Sequence, residues 1–146
     1  MNPAPGSPVI ILLVEDNLAH QKITEYAFRQ SDVPVKLYVV RDGQEVLDYL
    51  YRKGPFQDES LSPAPDLILL DLNLPKRDGR EVLQLIKNDP DLRLLPVAVV
   101  STSDREEDVQ FAFRTGAVAY ISKSSGFDRY TADIARVTRY ARPKPV

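Results

Sequence analysis

The stretch LILLDLNLP, residues 67–75, decides the fold of this 146-residue chain. Four consecutive aliphatic residues precede Asp71, with no polar residue between them. A strand has this composition when both of its faces are buried, as in a parallel sheet that helices cover on both sides. Most of the other apolar runs are also rich in β-branched residues, and they occupy residues 9–14, 35–40, 97–100 and 117–121.

Helical periodicity occupies the segments between these runs. In each segment, apolar residues recur three or four positions apart and therefore share one helix face. The five sets are Ile23, Tyr26 and Ala27; Val46, Leu47 and Leu50; Val82, Leu83 and Ile86; Val109, Ala112 and Phe113; and Tyr130, Ile134 and Val137. Five successive β-then-α units predict an α/β fold, a doubly wound five-stranded parallel sheet with helices on both faces.

Length, charge and composition restrict the possible functions. The length is usual for one domain. We expect this domain to span residues 9–141, between flexible tails at 1–8 and 142–146. We expect no output domain after the last helix. A net charge of −2 provides no broad basic field, which argues against nucleic acid as a partner. No apolar run reaches the ~20 residues of a membrane helix, and the N-terminus does not resemble a signal peptide. There is no cysteine, so we expect no disulfide, no thiolate metal site and a cytoplasmic location.

Polar side chains stand where the predicted strands end. The first strand leads into Glu15 and Asp16, and the third leads into Asp71. The fourth strand leads into Ser101, and the fifth leads to Lys123. In a sheet of this kind, functional groups gather beyond the carboxyl ends of the strands. Converging carboxylates repel one another and need a cation. Mg²⁺ fits best, because it is typically held by one or two carboxylates, several waters and a substrate phosphate.

This set of residues predicts a phosphoryl acceptor. A carboxylate such as Asp71 can attack phosphorus and form an aspartyl phosphate. The Lys123 ammonium and a metal ion would offset the charge on the transferring group, and the Ser101 hydroxyl would donate a hydrogen bond to it. Each residue alone has an ordinary interpretation: Asp16 or Asn17 as a helix N-cap, a strand-end hydroxyl, or a surface lysine. The specific observation is that all of them fall at one edge of the sheet.

The sequence DLNLP at 71–75, followed by Asp78-Gly79, resembles the phosphoacceptor segment of bacterial response-regulator receiver domains. The similarity extends over residues 9–140. The acidic pair, the switch hydroxyl and the phosphate-binding lysine of that family are matched by Glu15, Asp16, Ser101 and Lys123. The resemblance implies the flavodoxin-like (βα)5 receiver fold with strand order 2-1-3-4-5.

The resemblance also implies a role for each residue of the site. Asp71 would be the phosphoacceptor, and Asp16 and Asp71 would ligate Mg²⁺. Glu15 would act on the ion through a bound water, and Asn73 would supply its backbone carbonyl. The residues that bind the phosphoryl group would be Ser101 and Lys123.

A conformational switch is implied as well. Ser101 would act together with Tyr120, an aromatic residue that rotates when the switch hydroxyl moves inward, although a strand tyrosine alone indicates only packing. Asn73 and Ser103 occupy positions that tune how fast the phosphoryl group hydrolyses. The signal would leave through the face made by helix 4, strand 5 and helix 5, and the resemblance implies a homodimer through that face.

Finer details resemble one subgroup, the stand-alone regulators paired with phytochrome-type histidine kinases. These details are DLNLPK at 71–76, DGREVL at 78–83, STS at 101–103 and the long segment before the third strand. They imply a histidine kinase of that type as the phosphodonor. One departure from the wider family is that Ser124 stands where a proline in a cis bond usually follows the lysine. The bond is either trans, with a different loop, or cis at a cost of ~3 kcal/mol.

Three other functions compete with a phosphoacceptor signalling protein that catalyses only its own phosphorylation and dephosphorylation. An aspartyl-nucleophile phosphatase of the haloacid-dehalogenase type needs a second acid two residues after the nucleophile, where this chain has Asn73. A flavodoxin-like cofactor binder needs a phosphate loop after the first strand, where this chain has acidic residues. A receiver that only docks to partners, independently of phosphorylation, would not need the acceptor, the acidic pair and the lysine.

Overall fold

The computed structural model describes residues 7–143. Its sheet has five parallel strands in the order β2-β1-β3-β4-β5, which confirms the predicted topology. The strands are β1 (Val9–Val14), β2 (Val35–Val40), β3 (Leu67–Asp71), β4 (Val97–Ser101) and β5 (Ala119–Ser122). The helices are α1 (Leu18–Arg29), α2 (Gly43–Leu50), α3 (Gly79–Asn88), α4 (Glu106–Thr115) and α5 (Phe127–Arg136), with short 3-10 turns at Gly54–Phe56 and Val137–Tyr140.

Helices cover both faces of the sheet, as the uninterrupted apolar strands require. Side chains alternate between the two faces along each strand. In β3, Ile68 and Leu70 face the side covered by α2, α3 and α4, whereas Leu67 and Leu69 face α1 and α5. Every residue of β3 and β4 is buried, and Asp71 therefore lies at the end of a strand in the centre of the core.

Most of the two predicted tails falls outside the described residues, since 1–6 and 144–146 are not among them. At the C-terminal side, the backbone N–H of Arg142 donates a hydrogen bond of 2.9 Å to the carbonyl of Asp66. Within residues 7–143, no helix is both long and apolar enough to cross a bilayer.

Helix α4 buries only part of the apolar set that shares one of its faces. Ala112 is buried, whereas Phe113 is 48% exposed. The buried face contains Asp108 instead, which is 5% exposed. A carboxylate can occupy this position because Arg80 of α3 supplies an opposite charge 2.9 Å away.

Gly43 allows the start of α2 and the loop between β3 and α3 to pack closely at the carboxyl edge. A β-carbon on Gly43, the first residue of α2, would lie 2.4 Å from Cβ of Arg77. The backbone N–H of Gly43 donates to the carbonyl of Pro75 at 3.3 Å. Lys76, in the same loop, has φ +66° and forms an ion pair of 3.3 Å with Asp42, the residue that caps α2. The β3–α3 loop is therefore fixed against the start of α2.

Candidate functional site

The predicted acidic residues converge at the carboxyl edge of the sheet. Glu15 and Asp16 follow β1, and Asp71 is the last residue of the neighbouring strand β3. Each of the three offers a carboxylate oxygen within 4.8 Å of the others. Glu15 and Asp71 are buried, whereas Asp16 is exposed. The N-cap role that competed for Asp16 belongs to Asn17, whose Oδ1 accepts the backbone N–H of His20 at 3.0 Å.

Lys123, the residue that follows β5, contributes a positive charge to the site. Its ammonium lies 2.5 Å from Oε1 of Glu15 and 2.8 Å from Oδ2 of Asp71, and its side chain is only 4% exposed. Burial by itself would lower the pKa of Lys123, but hydrogen bonds and attraction from Asp71 and Glu15 outweigh it and raise that pKa above its usual value. Lys123 is therefore a firmly charged, buried ammonium between two carboxylates.

The charges of the site call for a cation. Three carboxylates and one ammonium leave two negative charges uncompensated. Burial, together with repulsion from Asp71, raises the pKa of Glu15 despite the hydrogen bond and attraction from Lys123. Carboxylate oxygens with an exposed member at the rim are the donor set of a hard divalent ion that keeps some of its waters. The residues present therefore fit a divalent metal ion.

Two hydrogen bonds and a close backbone contact fix the Asp71 carboxylate. Its Oδ1 accepts the N–H of Asn73 at 2.9 Å, while Oδ2 accepts the Lys123 ammonium. Behind it, α3 begins so close to the strand end that a β-carbon on Gly79 would lie 2.5 Å from Cα of Leu72. The sequence singled out Gly79 only as part of the Asp78-Gly79 motif, and its contact with the backbone around Asp71 becomes visible in the structure. The orientation of Asp71 is thus fixed by both its oxygens and its backbone.

The predicted switch residues form a second group, and Ser103 connects them. Ser101 is fully buried, and its Oγ accepts the backbone N–H of Ser103 at 3.0 Å. The Tyr120 hydroxyl donates to the carbonyl of Ser103 at 2.7 Å. The two groups meet where the backbone N–H of Lys123 donates to the carbonyl of Ser101 at 2.8 Å.

The Lys123–Ser124 bond is trans, since no cis peptide bond occurs among residues 7–143. The loop after β5 is held by hydroxyl groups. Ser124 Oγ donates to the carbonyl of Thr102 at 2.9 Å, and the Ser124 N–H donates to Ser122 Oγ at 3.1 Å. Of the two possibilities that the sequence left open, a trans bond with its own loop geometry is the one found.

Asp108 and Arg80 belong to the surroundings of the site, and sequence reasoning missed both. Oδ2 of Asp108 accepts the Ser103 hydroxyl at 2.5 Å, and Oδ1 accepts Nη2 of Arg80 at 2.9 Å. Arg105 adds a contact of 3.2 Å to Oδ2. The hydrogen bond from Ser103, followed by that from Arg80, lowers the pKa of Asp108 to about 2.

Comparison with known proteins identifies the protein family to which the chain belongs. The chain belongs to the response regulator receiver domain family, which it matches over residues 11–135. Receiver domains bind divalent metal ions, in agreement with the acidic cluster at the carboxyl edge. The chain is accordingly a signalling protein and not a conventional enzyme, which excludes the haloacid-dehalogenase and flavodoxin-like alternatives.

Individual relatives include a response regulator of phytochrome signalling. Response regulator Rcp1 of Synechocystis sp. is 41% identical over 124 residues, which cover 85% of this chain and 82% of the relative. The phosphorylated cyanobacterial phytochrome response regulator RcpA superposes with a TM-score of 0.82 at 40% identity, covering 92% of this chain and 94% of that structure. The Mn²⁺-bound form of Rcp1 gives a TM-score of 0.81 at 38% identity, covering 91% and 94%. The chain is a homologue of these phytochrome response regulators.

Proposed function

We propose that this protein accepts a phosphoryl group on Asp71 from a phytochrome-type histidine kinase. The observation that carries the proposal is the Lys123 ammonium, buried between Asp71 and Glu15 at 2.8 Å and 2.5 Å. An ammonium in this position neutralises the carboxylate and remains available to a phosphoryl oxygen. The similarity to the cyanobacterial phytochrome response regulator RcpA supports the choice of kinase.

The transfer is a displacement at phosphorus. An oxygen of Asp71 forms the new O–P bond as the N–P bond of a phosphohistidine breaks, and the electron pair of that bond stays on the imidazole nitrogen of the kinase. The Asn73 N–H and Lys123 hold the attacking carboxylate in place during this step. Lys123 and the Ser101 hydroxyl then bind oxygens of the acyl phosphate. Asn73 and Ser103 occupy the positions that would tune how fast the phosphoryl group hydrolyses.

A bound Mg²⁺ supplies charge neutralisation for the transferring phosphoryl group. Asp16 and Asp71 would be its direct ligands, together with the backbone carbonyl of Asn73, and Glu15 would hold one of its waters. The convergence of the three carboxylates within 4.8 Å supports this assignment. The Mn²⁺-bound form of the relative Rcp1 supports a divalent ion as the ligand.

The response would leave through α4, β5 and α5, where we propose a homodimer. This face exposes Phe113 and Val118, with 48% and 36% of their surfaces accessible. Opposite charges lie on its two sides, in two sets: Glu106 and Glu107 on α4, and Arg129, Arg136 and Arg139 along α5 and the turn after it. A two-fold axis that joins two copies would bring the sets together. The acyl phosphate would bias this face through Ser101 and Tyr120.

Mass spectrometry after incubation with acetyl phosphate and Mg²⁺ tests the proposal. We expect one phosphoryl group on the wild type and on the control Asp32→Asn, which removes an exposed carboxylate outside the site, and none on Asp71→Asn. Omission of Mg²⁺ should abolish the modification. If the wild type remains unmodified with both acetyl phosphate and a phosphorylated phytochrome-type kinase, the protein docks to partners without phosphorylation and the proposal fails.

A further inference from the structure

Ser103 uses every one of its polar groups to hold the loop between β4 and α4. Its N–H donates to Ser101 Oγ at 3.0 Å, and its carbonyl accepts the Tyr120 hydroxyl at 2.7 Å. Its own hydroxyl donates to Asp108 at 2.5 Å and accepts the backbone N–H of Arg105 at 3.2 Å. A single residue thus joins both proposed switch residues to helix α4.

Asp108 in turn joins this loop to helix α3. Its side chain is 7% exposed, and the Arg80 guanidinium that pairs with it is 30% exposed. Arg80 directly follows Gly79, the glycine that contacts the backbone of the acceptor segment. A chain of contacts therefore runs from the acceptor segment through α3 to Asp108, and from Asp108 through Ser103 to Ser101. A charged hydrogen bond in a partly desolvated place is stronger than a neutral one in water.

We propose that Asp108, held by Arg80, is a positioning residue that restrains Ser103 and thereby sets how readily Asp71 becomes phosphorylated. The inference rests on the proposed phosphorylation of Asp71. Ser101 now accepts the Ser103 N–H, and that bond must weaken when the Ser101 hydroxyl turns toward an acyl phosphate. As long as Asp108 fixes Ser103, the loop favours the arrangement of the unmodified protein. Release of Asp108 raises the population of the arrangement that receives the phosphoryl group.

The test measures initial rates of Asp71 phosphorylation by acetyl phosphate with saturating Mg²⁺. Asp108→Asn should raise the rate constant about fivefold, within the range typical of coupling between sites. Arg80→Gln should change it in the same direction. The matched control is Glu81→Gln, which removes an exposed carboxylate of α3 that pairs with Arg77 in the preceding loop, and it should leave the rate constant unchanged.

A double-mutant cycle separates positioning from a general loss of stability. If Asp108 acts through Ser103, then Ser103→Ala should raise the rate constant as well, and Asp108→Asn should add nothing in the Ser103→Ala background. Thermal unfolding of all variants identifies any that do not fold, in which case Arg80→Gln and its cycle with Ser103→Ala decide the matter.

Several outcomes would overturn the inference: unchanged or lower rate constants in folded Asp108→Asn and Arg80→Gln, additive effects in the cycle, or an equal increase in Glu81→Gln. These results are distinct from a failure of the proposed function itself. If the wild type takes no phosphoryl group on Asp71, both proposals fall. If the wild type is phosphorylated and the variants do not respond, only the role of Asp108 is wrong.

Discussion

A β-carbon on Gly79 would lie 2.3 Å from the carbonyl oxygen of Asp71. Helix α3 therefore starts in contact with the backbone that carries the acceptor, and the N–H of Gly79 donates to the carbonyl of Leu72 at 3.0 Å. The other atoms within reach of that β-carbon also belong to the backbone, which cannot move aside as a flexible side chain can. Only glycine fits at this contact.

We expect Gly79→Ala to lower the free energy of unfolding by about 1–3 kcal/mol, the usual cost of forcing an extra carbon into a packed site. Urea unfolding measures the change. The control Gln84→Ala lies on the exposed side of the same helix and should alter stability by less than about 0.5 kcal/mol. Equal stability of Gly79→Ala and the wild type would show that α3 can shift away from Asp71 at little cost.

Addition of Mg²⁺ should raise the melting temperature, since an ion that binds only the folded acidic cluster stabilises the fold in proportion to the logarithm of its concentration. Removal of the ion with a chelator should reverse the increase. Asp16→Asn removes the exposed carboxylate of the cluster and should reduce the increase strongly, whereas Asp32→Asn should retain it. The assignment of the metal site would be wrong if the two variants responded to Mg²⁺ alike.

Substitution of Lys123 by alanine should lower the stability of the metal-free protein and increase the stabilisation that Mg²⁺ provides. Without a divalent ion, loss of the ammonium leaves Glu15 and Asp71 buried and unpaired, which we expect to cost on the order of 3 kcal/mol of stability. With Mg²⁺, the ion compensates part of that charge, so the metal-dependent gain in stability should exceed that of the wild type. Urea unfolding at several Mg²⁺ concentrations measures both terms. An identical gain in the two proteins would contradict this account.

The buried carboxylate of α4 makes the stability of the fold depend on pH in acid. Asp108 has a pKa of about 2 when folded, below its ordinary value of 3.8, so its ionised form stabilises the fold at pH values above 3.8. This contribution is lost as the pH falls from about 4 through 2. The difference in unfolding free energy between the wild type and Asp108→Asn should therefore be full at pH 5.5 and shrink towards pH 2. A difference that stays constant over this range would show that Asp108 is not held in its charged form.

The sequence was sufficient to predict the sheet and the site because both depend on strands. Residues 67–70 are apolar without alternation, and this pattern requires a strand buried on both faces. Once the strands are parallel and in order, their carboxyl ends lie at one edge, and Glu15, Asp71 and Lys123 must meet there. The resemblance to receiver domains then supplied the order of the strands and the individual roles.

The contacts of α4 could not be predicted in the same way. Asp108 shares the first turn of its helix with two exposed acids, Glu106 and Glu107, and the sequence does not distinguish among the three. What selects Asp108 is its distance to Arg80, a residue 28 positions earlier on another helix. The apolar set of Val109, Ala112 and Phe113 has the same limit, since a pattern of hydrophobicity cannot anticipate a buried ion pair on the same helix.

The glycine contact between α2 and the β3–α3 loop has a consequence for the direction of the response. With Gly43 pressed against Arg77 and Lys76 paired with Asp42, one flank of the acceptor is clamped by backbone, where even a single added carbon has no room. The opposite flank, around Ser103, is held by side-chain hydrogen bonds that can exchange partners. We therefore expect a change at Asp71 to leave the contacts on the α2 side in place and to rearrange the hydrogen bonds on the α4 side. The conformational response is directed towards α4 because only the contacts on that side can exchange.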